Sequence, residues 1–113
     1  MTDDPKQKGI PDAEAWALIG LIAFQAGAVV SRTLVSKPTG TVTLFSLDDA
    51  QGLSEHTAPF DALVQILEGE AEITISGKPV RARAGEVVLM PANQPHALRA
   101  LSPFKMLLIM IRS

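Results

Sequence analysis

From residue 28 onward, short runs rich in Val, Ile, Leu and Thr are separated by breaks bearing Gly or Pro, and none of the runs has the apolar spacing of a helix. The chain therefore reads as β throughout this part. Runs at 28–36 and 41–47 flank Lys37-Pro38-Thr39-Gly40, where Pro presets φ and Gly can supply a positive φ, which predicts a hairpin. A polar loop over 48–52 separates this hairpin from a strand at 62–67, which ends at Glu68-Gly69. In the next hairpin Ala71, Ile73 and Ile75 alternate with Glu70, Glu72, Thr74 and Ser76, and Val80, Ala82 and Ala84 alternate with Arg81 and Arg83. A two-residue turn at Gly77-Lys78 pairs Ile75 with Val80, Ile73 with Ala82 and Ala71 with Ala84 on the inside. Outside, Thr74 faces Arg81 and Glu72 faces Arg83, a surface pairing worth at most about 1 kcal/mol. Gly85 leads into a strand at 86–90, a loop covers 91–95, His96 opens the next strand, and 104–111 closes the domain. Seven or eight short antiparallel strands predict an all-β sandwich or closed barrel.

The N-terminal part has a different pattern. An apolar run at 15–24 predicts a short buried helix, with Asp12 as its N-cap just after Pro11. Lys6 and Lys8 before this run and small residues after it imitate a secretion signal, but Asp3, Asp4, Asp12 and Glu14 make the leading segment acidic where a signal is basic. A membrane span needs about 20 uninterrupted apolar residues, so no membrane contact is expected. Residues 1–11, polar and rich in turn formers, read as a flexible leader, and 12–113 as a single domain.

Composition narrows the function classes. The ten Lys and Arg are scattered and the formal net charge is −2, so there is no electrostatic footprint for nucleic acid. No cysteine is present, which removes thiolate metal sites and cysteine nucleophiles and suits a reducing cytoplasmic setting. Any metal must bind through His, carboxylate or water. With Trp16, Phe24, Phe45, Phe60 and Phe104 the only aromatics, stacking platforms for sugars or bases are not expected. Along 104–111, Phe104, Met106, Leu108 and Met110 form one apolar face while Leu107, Ile109 and Ile111 form the other. One barrel interior covers only one of these faces. The N-terminal segment around Trp16 can cover part of the second, and a homodimer partner is expected to cover the rest.

The stretch GEVVLMPANQPH at 85–96 resembles the second sequence motif of the cupin superfamily, with Gly85, Pro91 and His96 at the motif's spacing. Asn93 stands at a motif Gly, and Asn tolerates the left-handed conformation best after Gly. Ala100 takes the place of a further Asn. The first motif is partial: anchored on Gly69, its Glu position falls on Ala62, and its two His positions fall on His56 and Ala58 with the motif's shorter spacing or on Glu55 and Thr57 with its longer one, the shorter being preferred because it keeps a histidine. Together with SEHTAPFDALVQILEGEAEITISG and the ending FKMLLIMIRS, the chain is similar over 28–113 to small bacterial cupins without an assigned activity. The resemblance implies a cupin-type double-stranded β-helix, a jelly-roll barrel, preceded here by the short helical segment. It also implies a barrel site that in typical members uses three His and one Glu to hold Fe, Mn, Ni, Cu or Zn.

At most two of those four ligands, His56 and His96, survive. Glu55 and Asp61 lie nearby, but in a regular strand both point away from the face of His56 and Ala62 unless a bulge re-aims one. His96 can alternatively cap a loop, and His56 can be a surface residue. Met90, Phe60 and Met106 are the other candidates to line the pocket, although Met90, Met106 and Met110 read by default as core. Three functions stay open: binding of a small molecule oriented by His56 and His96, with or without a weakly held divalent transition metal; an oxygenase or isomerase with a reduced two-histidine site, or a metal-free acid/base catalyst; and a structural or regulatory barrel. The departures from the ligand set favour the first.

Overall fold

A computed structural model describes residues 2–3 and 9–112. Its elements are β1 (Thr2–Asp3), a single 3₁₀ turn (Leu18–Leu21), β2 (Val29–Lys37), β3 (Gly40–Leu47), β4 (Gly52–His56), β5 (Asp61–Glu68), β6 (Glu70–Ile75), β7 (Lys78–Arg83), β8 (Val87–Met90), β9 (His96–Ala100) and β10 (Phe104–Ile111). They form a six-stranded sheet in the order β1-β2-β3-β10-β5-β8 and a four-stranded sheet in the order β4-β9-β6-β7. The two sheets face each other. The chain passes from one to the other through the segments that join its strands, and no continuous ladder joins their edges into a closed ring among the described residues.

The core lies between the sheets. Phe45, Leu47, Ala62, Val64, Ile66, Met90, Phe104 and Met106 come from the six-stranded sheet, and Ala71, Ile73, Ala82, Leu98 and Ala100 come from the other. The alternation of inward and outward side chains along each strand produces this arrangement.

The N-terminal helix is corrected by the structure. Only Leu18–Leu21 make a helical turn, of 3₁₀ type, with Ala17 rather than Asp12 at its N-cap and no side-chain cap. One turn is too short to sustain an α-helix, so the segment depends on tertiary partners. Leu21 and Ile22 pack on Leu34 and Leu44 on the outer face of the six-stranded sheet, with Leu107 at the margin. Its backbone carbonyls, which no helix satisfies, accept from side chains of the sheet beneath: Arg32 donates to Leu21 O at 3.0 Å, Ser46 to Ala23 O at 2.9 Å and Lys105 to Ile19 O at 2.8 Å. Trp16 itself stays largely exposed. Most of the expected leader, Met1 and residues 4–8, lies outside the described residues; Thr2–Asp3 run parallel to Val30 and Ser31, and Gly9 N donates to Thr33 O at 2.7 Å.

The β6–β7 hairpin is displaced from its expected register by two residues on one strand. Ile75 pairs with Lys78 and Ile73 with Val80, around a Ser76-Gly77 turn. Ser76 has φ +50° and Gly77 φ +80°, the double positive φ of the hairpin turn that matches strand twist. Ser76 is held there by its N–H to Pro95 O at 2.8 Å and its hydroxyl near Gln94 Oε1 at 3.2 Å. An even displacement keeps each side chain on its face, so Ala71, Ile73 and Ala82 still face inward. The charge partners change: Arg81 meets Glu70 at 2.9 Å and Arg99 of β9 meets Glu72 at 3.4 Å. No helix among the described residues is long and apolar enough to cross a membrane.

Candidate functional site

His96 opens β9 on its inner face and is 4% exposed, while His56 ends β4 at the rim and is exposed. Residues 52–56 lack a clean alternation and carry no strand signal in the sequence. The structure supplies the reason. Leu53 pairs with Leu98 and His56 with His96, so three steps along β4 match two along β9, and one extra residue is accommodated as a bulge. In a regular strand Glu55 would share the face of Leu53. The bulge inverts the parity, sends Glu55 to solvent and brings His56 opposite His96.

The two rings meet edge to face, with centroids 4.3 Å apart and planes at 73°, and their Nε2 atoms are 3.0 Å apart. Each Nδ1 lies against a backbone carbonyl two residues earlier: His56 Nδ1 on Ser54 O at 2.8 Å and His96 Nδ1 on Gln94 O at 3.2 Å. These three contacts need three hydrogens, and two neutral imidazoles carry two. A third would require an imidazolium, yet burial and the neighbouring His56 hold His96 below the ordinary histidine value, against a smaller opposing effect of the Gln94 carbonyl. Giving both Nδ1–H groups to carbonyls leaves both Nε2 atoms as lone-pair acceptors 3.0 Å apart. This is the outer arrangement that orients histidines around a cation.

Two imidazoles are the kind of donor that a divalent transition ion takes, but they are half of the four that a closed site supplies. At a metal–nitrogen length of about 2.0–2.1 Å, two imidazoles at right angles about one ion place their nitrogens about 2.9 Å apart, close to the separation observed. His56 and His96 would be its only protein ligands, since no group of three His, Cys, Asp or Glu comes together among the described residues. Asp61 is otherwise engaged: its Oδ1 accepts from Ala92 N at 2.9 Å.

The remaining candidates separate by depth. Ala62 pairs with both Met90 and Met110, forming an inward row at the barrel end that also carries the histidines, because 57–60 join β4 to β5 and 91–95 join β8 to β9. Met90 is 2% exposed. Met106 lies two inward positions deeper along β10, fully buried between Phe45 and Ile66 in the core. Phe60 is half-buried in the connecting loop, with the Arg112 guanidinium 5.8 Å from its ring centre. Met110, which the sequence reading left to the core, shares the row at the histidine end; the register, absent from sequence alone, is what reveals it.

Comparison with known proteins agrees with this frame. The chain is similar to a conserved Streptococcus pyogenes protein of unknown function, at 39% identity over 94% of this chain and 93% of that one, with a TM-score of 0.89. A cupin superfamily protein from Desulfitobacterium hafniense shares 31% identity over 94% of this chain and 97% of that one, with a TM-score of 0.87. A Cupin 2 conserved barrel domain protein from Leptotrichia buccalis shares 40% identity over 85% of this chain, with a TM-score of 0.83, and the match spans 47% of that longer chain. No curated protein matches the sequence at a significant level. Residues 44–111 match the cupin domain family model, and the chain belongs to the cupin superfamily.

Proposed function

We propose that this cupin binds a small molecule at the histidine end of its barrel, with the Nε2 atoms of His56 and His96 as the paired acceptors that hold it, directly or through a weakly bound divalent transition metal. The observation that carries this reading is the hydrogen shortfall. Two convergent lone pairs 3.0 Å apart, backed by carbonyls on both Nδ1 atoms, are satisfied by a cation or by a ligand donor. Of the candidate metals, Zn, Ni and Cu suit imidazole donors best, with Fe and Mn less favoured, and Mg or Ca are excluded by the donor type. With two protein donors in place of four, the affinity is modest. The test is titration calorimetry with Zn²⁺ and Ni²⁺ on the wild-type protein and on His56→Ala and His96→Ala. Each substitution is expected to weaken binding at least tenfold. Equal affinity in all three proteins would refute the site.

The outer face of the six-stranded sheet supports a second, independent proposal, that the chain pairs with a second copy. Leu89, Leu63, Ile109, Val42 and Val35 occupy paired positions across five successive strands, forming an apolar row about 19 Å long. The N-terminal segment covers the neighbouring Leu34 and Leu44 but leaves Val35 42% and Leu89 54% exposed. Sheet-on-sheet packing of two such faces buries both rows.

A further inference from the structure

The N-terminal segment lies across the outer face of the six-stranded sheet as a strap, yet it leaves 47% of Trp16 and 44% of Ile19 in water. The reason is local. Arg32, Ser46 and Lys105 grip the strap by the carbonyls of Leu21, Ala23 and Ile19, and the side chains that pack on the sheet are Leu18, Leu21 and Ile22. Ala15 and Ala17 beside Trp16 are exposed and too small to shelter an indole. A large apolar ring is thus held away from its own core on a segment that is itself fixed, so little ordering is required of it on association.

The chain also carries a place that suits such a ring. Where the strap begins, it runs beside the end of β2, and the two enclose a groove of about 440 Å³ lined by Ile10, Pro11, Leu34 and Val35, with Asp12 and Glu14 as its polar members. Trp16 of the same chain is not among the lining residues. The volume lies within the range of about 300–1,000 Å³ that takes small organic groups, and the carboxylates are acceptors for an indole N–H. Val35 belongs both to this groove and to the apolar row of the outer face, so groove and row form one continuous surface.

Area decides what that surface needs. With Val87 and Ile111 on either side of the row, the apolar face measures about 19 Å across the strands by about 14 Å along them, on the order of 300 Å². A stable pair of chains buries about 800 Å² on each partner, so the face alone falls short by more than half. The strap borders it and holds the other exposed large apolar side chains, Ile10, Trp16 and Ile19. Resting on the pairing of two copies through this face, we propose that the strap is the clasp of the dimer: Trp16 of each chain inserts into the groove between residues 10–14 and 34–37 of the other. Two-fold symmetry makes the exchange reciprocal, so each dimer has two clasps. A tryptophan seated in a partner's pocket is the commonest kind of interface anchor. A lipid surface, where exposed indoles also settle, is disfavoured by Asp12 and Glu14 on the same strap.

Trp16 is the only tryptophan of the chain, so its fluorescence reports the clasp directly. Acrylamide quenching is compared between wild type and the double variant Leu63→Glu with Leu89→Glu, which breaks the row without touching the strap or the groove. Wild-type emission should lie at shorter wavelength and be quenched about threefold less or weaker still. Trp16→Ala and Ile10→Glu each alter one exposed side chain outside the row, and each should weaken pairing, read by sedimentation equilibrium, about tenfold or more. Mixing these two variants tests whether the contact runs between chains. Trp16→Ala keeps an intact groove and Ile10→Glu an intact indole, so a mixed dimer regains one clasp that neither parent dimer has. In native mass spectrometry the mixed dimer should exceed the half of all dimers that independent effects give. A mixed dimer at that half would overturn the clasp, as would equal quenching in wild type and a single-chain double variant; both leave pairing through the row standing. A wild-type protein that scatters as one chain at micromolar concentration would overturn the pairing itself, and the clasp with it.

Discussion

Gly69→Ala should be among the most damaging single-methyl additions the fold can receive. Gly69 carries the chain from β5 in one sheet to β6 in the other with φ +80°. The corner is pinned on both sides: Glu70 N donates to Ser102 Oγ at 3.0 Å, Leu101 N to Glu70 O at 3.1 Å and Ala84 N to Gly69 O at 3.2 Å. A Cβ at position 69 would overlap the Pro103 carbonyl oxygen and lie 2.9 Å from both Cα and Cβ of Phe104, whose side chain is fully buried in the core. Neither neighbour can yield cheaply. The left-handed backbone alone costs an alanine about 1–2 kcal/mol, and forced overpacking adds about 1–3 kcal/mol, for a total of about 2–5 kcal/mol. Gly85→Ala is the matched control. It has φ +91° but nothing within 4 Å of the added carbon, so only the backbone cost of about 1–2 kcal/mol applies.

Urea unfolding of wild type, Gly69→Ala and Gly85→Ala at one protein concentration separates the two costs. With a slope of about 1–3 kcal/mol per molar urea, the Gly69→Ala midpoint should fall about 1 M further than that of Gly85→Ala, at unchanged slope. Equal losses in the two variants would refute the steric argument and leave only the backbone cost at both corners. A Gly69→Ala protein that fails to fold, beside a folded Gly85→Ala, is the extreme form of the expected outcome.

Three further predictions follow from the histidine pair and the sheet face. Because His96 is held below its ordinary value of 6.5 in the native state, the unfolded chain takes up more protons there; its contribution to stability is present above pH 6.5 and is lost as pH falls toward the native value, so the urea midpoint should drop between pH 7.5 and 5.5, and less so in His96→Gln. Deleting Glu55 removes the extra residue of the β4 bulge and leaves His56 at the regular position on the Leu53 face, opposite His96; Ni²⁺ affinity should stay within about threefold of wild type, and a loss as large as in His56→Ala would show that the bulge itself is needed to aim the ring. Light scattering should return twice the 12.0 kDa of one chain, and the double variant Leu63→Glu with Leu89→Glu should return a single chain; a wild-type monomer at micromolar concentration would defeat the pairing.

What could be read from sequence was what period and turn chemistry determine. The alternation of Ala71, Ile73 and Ile75 survives any even displacement of register, so the inner face was legible even though the turn lies one residue earlier than Gly77-Lys78. The suitability of Asn93 for a left-handed position was likewise readable, and it has φ +66°. The turn itself was not, because Ser76 adopts φ +50° through partners in a loop almost twenty residues away. The 3₁₀ turn was hidden for a similar reason: the apolar run suits a buried helix, and only the donors Arg32, Ser46 and Lys105, remote in sequence, reveal a strap held by its carbonyls. At the site, motif spacing nominated His56 and His96. Whether they could meet depended on a bulge, which leaves no periodic trace in five residues.

The approach to each histidine is built from backbone contacts rather than from contact between the rings. Asn93 N donates to Ala58 O at 2.7 Å and Ala92 N to Asp61 Oδ1 at 2.9 Å, so the loop before His96 is stitched to the loop after His56. The same loop is tied on its other side by Ser76 N on Pro95 O at 2.8 Å. Each ring then takes its orientation from the carbonyl two residues before it, Ser54 O for His56 and Gln94 O for His96. Removal of one imidazole therefore leaves the other aimed, and the Nε2 atoms are placed before any ligand arrives. A ligand at this site pays little to order the protein, so its affinity is set by the number and charge of the donors it meets. That number is two and that charge is zero, which makes the ligand, rather than the barrel, the source of whatever else the site requires.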